Sequence, residues 1–452
     1  MLLTSCYGGS SDDNRVVDGG GGIPLQPDAP PTVLTIDGAD WEAPDQTLAA
    51  IISAYQLSGN PAPGKYQTLP AFDPMVRLGQ LLFFSKALSL DYDVACASCH
   101  HPSLLGGDKL SLPVGVASYV QHLLGPGREV NPLKDFSPLA DGGPNVPRNS
   151  QTIVNSALYK KAMFWDGRVF VMEGIEPPPG TTVAIRTPES GNNPDPKAGG
   201  SLLEVQARFP VTSPDEMRGF GHAELVTGED VRSRIVERFR YGDARMMPTD
   251  ITRWLKRFRA AFGSPDGTGE QLLTYENMQV ALAAYQESQI FVDTPWKRYV
   301  EGGAAALSET AKQGALLFFL AEEQGGLGCV GCHKGDNFTT EQFYNSGFPQ
   351  FGHGKRSDSR DFGRYDVTRR EQDRFAFRVP SLINVSATGP WGHVGAFDDM
   401  DELLRYHADP VNAVESYDFG LSMLDQFLSL VVNYPNAETY TREAILSPNL
   451  AT

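Results

Sequence analysis

Cysteine is scarce in this chain, with five in 452 residues, and four of the five fall in two pairs of one spacing. Little is left over for any other cysteine chemistry. No apolar run approaches the roughly 20 residues that cross a bilayer, which excludes a spanning helix. Basic residues are short as well: 38 Lys and Arg stand against 55 Asp and Glu, a net charge of −17. That balance argues against nucleic acid or an anionic membrane as the main partner, and it favours a basic protein or a small neutral substrate. What is present, 41% hydrophobic and 10% aromatic residues, excludes wholesale disorder, and the length allows two or three domains.

The exception to globular composition is residues 7–35, polar and rich in Gly, Pro and Asp, which read as a tether. Just before it, Leu3-Thr4-Ser5-Cys6 has the form of a bacterial lipobox without the charged and apolar stretch that should precede one. Two readings of Cys6 stay open: a lipid anchor behind a truncated start, or a free thiol in a floppy tail.

An internal repeat organises the rest. Gly79-Gln-Leu-Leu-Phe-Phe84 precedes Cys96, and Gly314-Ala-Leu-Leu-Phe-Phe319 precedes Cys329. RNSQTIVNSA at 148–157 and RVPSLINVSA at 378–387 follow the two cysteine pairs. Two homologous units explain this most economically. They divide the chain into a tether (1–64), a first unit (65–300), a second unit (301–435) and a tail (436–452). An insertion near 173–200 swells the first unit and reads as an exposed loop. Strand alternation is rare and helical spacing common, so the class is mainly α with long loops. Asp399 and Glu402 predict a capping box opening a helix that runs through His407.

The pairs themselves read Cys96-Ala97-Ser98-Cys99-His100 and Cys329-Val330-Gly331-Cys332-His333. A zinc site needs four ligands and each pair offers three at most, while the two are too alike to be halves of one site. A thioredoxin-like dithiol needs an α/β pattern that is missing. C-x-x-C-H suits covalent haem: two thiols three residues apart add across the vinyl groups of one porphyrin, and the adjoining histidine ligates its iron. Two such sites predict two haem c groups. In bacteria this attachment occurs outside the cytoplasmic membrane, so the expected location is the periplasm, free or anchored at the outer membrane facing it.

These stretches, with LGQLLFFSKALSLDYDVACASCH, RNSQTIVNSALYKKAMFWDGR, QARFPVTSPDEM and FRVPSLINVSATGPWGHVGAF, resemble the bacterial dihaem cytochrome c peroxidase family. That family includes the dihaem enzymes that mature the tryptophan tryptophylquinone cofactor. The resemblance covers about 65–430 and implies two cytochrome c-like haem domains, the first reacting with peroxide and the second relaying electrons. It implies that Gln206 and Glu216 are the catalytic pair beside the first haem. It places Trp165 between the haems, and Asn149, Thr388 and Pro390 at an interdomain calcium ion. Many members block the first iron with a histidine sixteen residues past the attachment histidine; Val116 stands there and cannot ligate, so the first haem is expected open at rest.

The sixth ligand of the second haem varies in the family, and the matching position here is His407, with Met400 and Tyr406 as rivals. His393 is expected near the haem interface, whereas His222 and His353 have no assigned role. The expected activity is reduction of hydrogen peroxide with electrons from a small cytochrome c or cupredoxin. The alternatives are oxidation of residues on a partner protein, and a dihaem electron carrier without enzymatic activity. A second copy of the chain is an expected partner, and nucleic acid is not.

Overall fold

A computed structural model describes residues 31–61, 72–426 and 436–451. Cys6 and the tether before residue 31 lie outside them. Among the described residues up to Ala408 the helices, in chain order, are α1 (Pro44–Ala54), α2 (Pro74–Phe83), α3 (Cys96–Cys99), α4 (Leu202–Gln206), α5 (Gly228–Tyr241), α6 (Pro248–Ala261), α7 (Gly269–Leu272), α8 (Tyr275–Glu287), α9 (Pro295–Val300), α10 (Glu309–Phe319), α11 (Tyr365–Thr368) and α12 (Met400–Ala408). Strands only brace this frame. β1 (Ala162–Met163), β2 (Val169–Val171) and β3 (Ile185–Arg186) form one small antiparallel sheet, and β4 (Phe343–Tyr344) pairs with β5 (Phe377–Arg378). The protein is mainly α with long loops, as the scarcity of alternation predicts. Among the described residues no helix is long and apolar enough to cross a membrane.

The first attachment stretch hangs on the pair α2 and α8. Asp73 caps α2, its carboxylate accepting from Met75 N–H at 2.8 Å and Val76 N–H at 3.3 Å, with Pro74 at the first helical position. Leu78, Leu82 and Phe83 then bury one face, each side chain contributing about 1.5–3 kcal/mol relative to exposure. Gly79 explains how close the helices come: a Cβ there would overlap the Ala281 carbonyl of α8. Its repeat counterpart Gly314 has open space around it, so the repeat keeps the residue while only the first copy has the steric need.

Three segments differ from the sequence expectation, each because it packs on or bonds to other elements. Ile36, Leu48, Ile51 and Leu57, assigned to the tether, share a core with Leu316, Phe319, Leu320 and Val330, so α1 is docked on α10. The insertion is not simply an exposed loop, because Ile185 and Thr187 are fully buried. β3 pairs with β2 there, and Asp195 accepts from Thr187 Oγ1 at 2.8 Å and Arg208 Nη1 at 2.7 Å. The supposed tail contains the helix Ala437–Ile445, fixed where Asn345 Nδ2 donates to the Ala444 carbonyl at 2.7 Å and Gln350 N–H to Thr441 Oγ1 at 2.8 Å.

The two halves are sewn together by buried polar contacts. Arg148 donates to both oxygens of Asp361, at 2.6 and 2.7 Å, and to Asp166 at 2.6 Å. Glu341 accepts from the backbone N–H groups of Lys160 and Lys161, both at 2.8 Å. Gln426 closes a reciprocal pair with the Leu112 backbone at 2.9 and 2.8 Å. Such contacts are directional, so they fix how the halves face each other as well as holding them together.

Candidate functional site

Each C-x-x-C-H stretch makes one turn, with the histidine N–H donating to the first cysteine carbonyl at 2.9 Å in both copies. The turn brings both thiols and the imidazole to one side. The two imidazoles are oriented alike. Nδ1 of His100 lies 3.2 Å from the Gly106 carbonyl, and Nδ1 of His333 lies 3.1 Å from that of Phe338. A carbonyl only accepts, so Nδ1 carries the proton and Nε2 keeps its lone pair for a metal. Burial lowers the pKa of both rings, that of His333 to about 4 with the nearby His407 adding to the effect, and so keeps them in the neutral, ligating form. Burial likewise pushes the thiols up, Cys96 to about 12 and Cys332 to about 11.

A haem can be tested against the second stretch through the ring facing His333. The His407 ring centre lies 6.5 Å from that of His333, with the planes at 83°. A metal–imidazole bond is about 2 Å and the ring centre sits roughly 1.2 Å behind its nitrogen, so two imidazoles on opposite sides of one ion have centres about 6.3 Å apart. The spacing fits. His407 reaches this place because Asp399 caps α12, accepting from Glu402 N–H at 2.9 Å, and His407 lies in the last turn. His407 is exposed, yet desolvation by its surroundings lowers the pKa of its ring. The rivals face elsewhere: Tyr406 is buried and donates its hydroxyl to the Gly347 carbonyl at 3.0 Å, and Met400 packs against that same core.

The first stretch has different surroundings. Glu216 sits on a single π-turn, Pro214–Arg218, where the Ser213 carbonyl accepts from Met217 N–H at 3.1 Å and Arg218 N–H at 2.9 Å. Its carboxyl pKa is raised by burial, against the opposing pull of Arg168 and Lys355. The charge of Glu216 in turn raises both Cys96 and Cys99, which places it in the same field as the attachment thiols. Val116 is bound to this turn through its backbone, donating to the Asp215 carbonyl at 3.1 Å, and its side chain joins the core that Cys96 packs against. Gly115 is required there, because a Cβ would overlap the Asp215 carbonyl and stand 3.0 Å from Glu216 Cα. Gln206 closes α4, at the head of the loop that leads to Glu216, and is half-buried.

Trp165 bridges the halves. Its indole N–H donates to the Asn149 carbonyl at 3.0 Å, and its own carbonyl accepts from Arg378 N–H at 2.8 Å. Asn149 N–H donates to the His393 carbonyl at 2.8 Å, and its Nδ2 donates to the carbonyls of Leu110 and Ser111, at 2.9 and 3.2 Å. The Asn149 amide nitrogen is thereby engaged by the Leu110–Ser111 backbone. Thr388 donates its hydroxyl to the Val385 carbonyl at 3.1 Å, and Pro390 lies in the same stretch as His393. His393 itself is 2% exposed and stacked on Phe377 with ring centres 3.9 Å apart.

Residues 73–305 match the di-haem cytochrome c peroxidase family. The chain belongs to that family. Methylamine utilization protein MauG of Methylorubrum extorquens is 27% identical over 382 residues, spanning 83% of this chain and 80% of its own. Cytochrome-c peroxidase IdrP1 of Denitromonas iodatirespirans is 28% identical over 368 residues, 75% of this chain and 74% of its own. Cytochrome c551 peroxidase of Pseudomonas aeruginosa is 26% identical over 338 residues, 74% and 72% respectively. Membership makes the chain an oxidoreductase of the cytochrome c peroxidase type and calls for two haem c groups. The two C-x-x-C-H stretches are the residues present to hold them.

For this family member the sequence reading missed a layer of charge behind the motifs. Asp166 and Asp361, both buried, hold Arg148 between them, and Arg168 donates to Asp166 at 3.2 Å. Arg148 and Asp166 stand inside the two motifs RNS and WDGR, so the signal was present. Asp361 lies 213 positions from Arg148 and nothing local announces it.

Proposed function

We propose that the protein reduces hydrogen peroxide to water with electrons from a small periplasmic cytochrome c or cupredoxin. The observation that carries this reading is the inequality of the two attachment sites: an imidazole stands opposite His333, and the Glu216 turn lies beside the first pair with Val116 against it. When bound, the haem irons supply the redox chemistry of O–O cleavage. Glu216, kept protonated to higher pH by burial, moves a proton between the two peroxide oxygens, and Gln206 orients peroxide by hydrogen bonding. Arg168 and Lys355 hold that carboxyl within reach of its charged form.

His333 and His407 would hold the second haem iron, and an imidazole in place of a thioether would lower its potential. Trp165, tied to Asn149 on one side and Arg378 on the other, sits on the route between the halves. Asn149 Oδ1, Thr388 and Pro390 offer hard oxygen donors for a calcium ion that would stiffen that junction. The acidic surface docks a basic donor, so turnover falls as salt rises. Export to the periplasm, with Cys6 as a lipid anchor, completes the reading.

A second reading, oxidation of residues on a partner protein, is favoured by the share of this chain, 83%, that aligns with methylamine utilization protein MauG. Steady-state peroxide turnover with reduced cytochrome c, for the unaltered holoprotein and for Glu216→Gln, separates the two. The peroxidase reading expects turnover that Glu216→Gln lowers by on the order of a hundredfold or more. Equal rates remove Glu216 from the mechanism, and no turnover in the unaltered protein overturns the reading.

A further inference from the structure

The short helix α9 carries two oxidisable rings in line, and it packs in the same core as Val330 of the second attachment stretch. Thr294 caps the helix, its hydroxyl accepting from Lys297 N–H at 3.1 Å. Trp296 and Tyr299, three positions apart, then share one face. Their ring centres lie 5.9 Å apart with the planes at 27°. On its inner side Trp296 meets the ring of Phe338 at 6.2 Å, and the carbonyl of Phe338 is the one that orients His333, 3.1 Å from its Nδ1. A close-packed run therefore leads from His333 through Phe338 and Trp296 to Tyr299.

The outer end of the run differs from the rest. The Tyr299 ring is buried, but its hydroxyl donates to Asp45 Oδ1 at 2.7 Å, and the Asp45 side chain on α1 is 55% exposed. Lys312 donates to the other oxygen of Asp45 at 2.9 Å and to Glu309 at 2.8 Å. Phenylalanine resists oxidation, so in this ring stack only Trp296, Tyr299 and Tyr55 give up an electron readily. An oxidised phenol is a strong acid and keeps the hole only if its proton has somewhere to go. Tyr299 has the Asp45 carboxylate as acceptor. Tyr55, which packs on Phe319 in the same stack at 5.9 Å, has its hydroxyl against the Leu34 N–H, a donor, at 2.8 Å. The indole N–H of Trp296 is buried and meets no acceptor among the described residues, so an oxidised Trp296 passes the hole on. Burial, and then the Asp45 carboxylate, push the Tyr299 phenol up to about 12, so it holds its proton until it is oxidised.

We propose that Trp296 and Tyr299 form a redox relay between the second attachment site and the surface at Asp45. The relay rests on the peroxidase reading, in which each peroxide takes two electrons and two protons to give two waters. One of those electrons leaves Tyr299 through Trp296 toward the His333 site. As it leaves, the Tyr299 O–H breaks and the proton passes to the Asp45 carboxylate, giving a neutral phenoxyl radical beside a carboxyl. A one-electron donor at the surface then returns the electron, and Asp45 returns the proton. Electrons thus enter one at a time through Tyr299 without the donor reaching the haem edge.

The test treats holoprotein with hydrogen peroxide in the absence of donor and follows organic radicals by freeze-quench electron paramagnetic resonance, with ring-deuterated tyrosine to assign them. One oxidising equivalent then resides on the relay and the other on the haem sites. The unaltered protein is expected to show a tyrosyl signal that is lost in Tyr299→Phe, forms more slowly in Trp296→Phe and persists in Tyr55→Phe. In Asp45→Asn it is expected to form more slowly, because the proton acceptor is gone. A tyrosyl signal that survives Tyr299→Phe overturns the relay, as does peroxide turnover in the unaltered protein with no tyrosyl signal, and both leave the peroxidase reading intact. Unaltered formation in Asp45→Asn overturns the proton transfer on which the relay depends. A Tyr299 radical without donor turnover keeps the relay and overturns the peroxidase reading, and absence of both radical and turnover overturns both.

Discussion

Replacing Arg148 with Met tests whether the buried charge layer holds the halves in register. Arg148 donates twice to Asp361 and once to Asp166, and all three side chains are buried. Without it Asp166 retains Arg168, at 3.2 Å, whereas Asp361 retains only the backbone N–H of Gly363, at 2.9 Å. A buried carboxylate left without its cation costs about 3–5 kcal/mol. Arg148→Met should lose that much in denaturant unfolding of the holoprotein, and adding Asp361→Asn should recover roughly half, because the orphaned charge is gone.

The pH dependence carries the same signature. Arg148 holds the carboxyls of Asp166 and Asp361 well below the usual carboxylate range, against burial, which would raise them. A depressed folded-state pKa contributes stability that is fully present above the unfolded value, near 4, and is lost as pH falls through the folded value. The unaltered protein should therefore lose stability on acidification below about pH 4, and Arg148→Met should lose little more, having already lost the pairs. A loss under about 1 kcal/mol at neutral pH, with an acid limb like that of the unaltered protein, would refute the reasoning.

Three further outcomes follow from the geometry. His407→Ala should convert the second haem from low-spin to high-spin while leaving the first unchanged, read by magnetic circular dichroism; an unchanged spectrum would return the ligand question to Met400. Gly115→Ala should cost on the order of 1–3 kcal/mol and depress peroxide turnover, because the added methyl displaces the Asp215 carbonyl and the Glu216 turn with it; unimpaired turnover would detach that turn from catalysis. Since burial raises the Glu216 pKa, the limb of the turnover profile that reports its ionisation should lie above the ordinary glutamate value of 4.5 and vanish in Glu216→Gln; a limb that persists in the variant belongs to another group.

The chemistry that depends on local spacing was legible in the sequence. The spacing of CASCH and CVGCH points to covalent haem attachment, and Asp399 places His407 on a helix whose last turn faces His333. Glu216 and Gln206 are proposed only by resemblance, since their residue types and spacing alone are common in loops. What lay beyond reading depends on partners far along the chain. The Asn145 carbonyl is 208 positions from His353, and Ile36 meets Gln324 across 288. The buried β3 inside a Gly- and Pro-rich insertion is a different case, because its partners are near in sequence. Ile185 and Thr187 sit among turn residues that signal an exposed loop, and only the neighbouring β2 and the pair Asp195 and Arg208 draw them inward.

The claim on which the rest depends is that the two attachment sites are unequal. Electron paramagnetic resonance of the resting ferric holoprotein measures this most directly. The account predicts one high-spin signal, from the iron held by His100 with no protein ligand opposite, and one low-spin signal, from the iron held by His333 and His407. Two low-spin signals with protein ligands on both irons would contradict it.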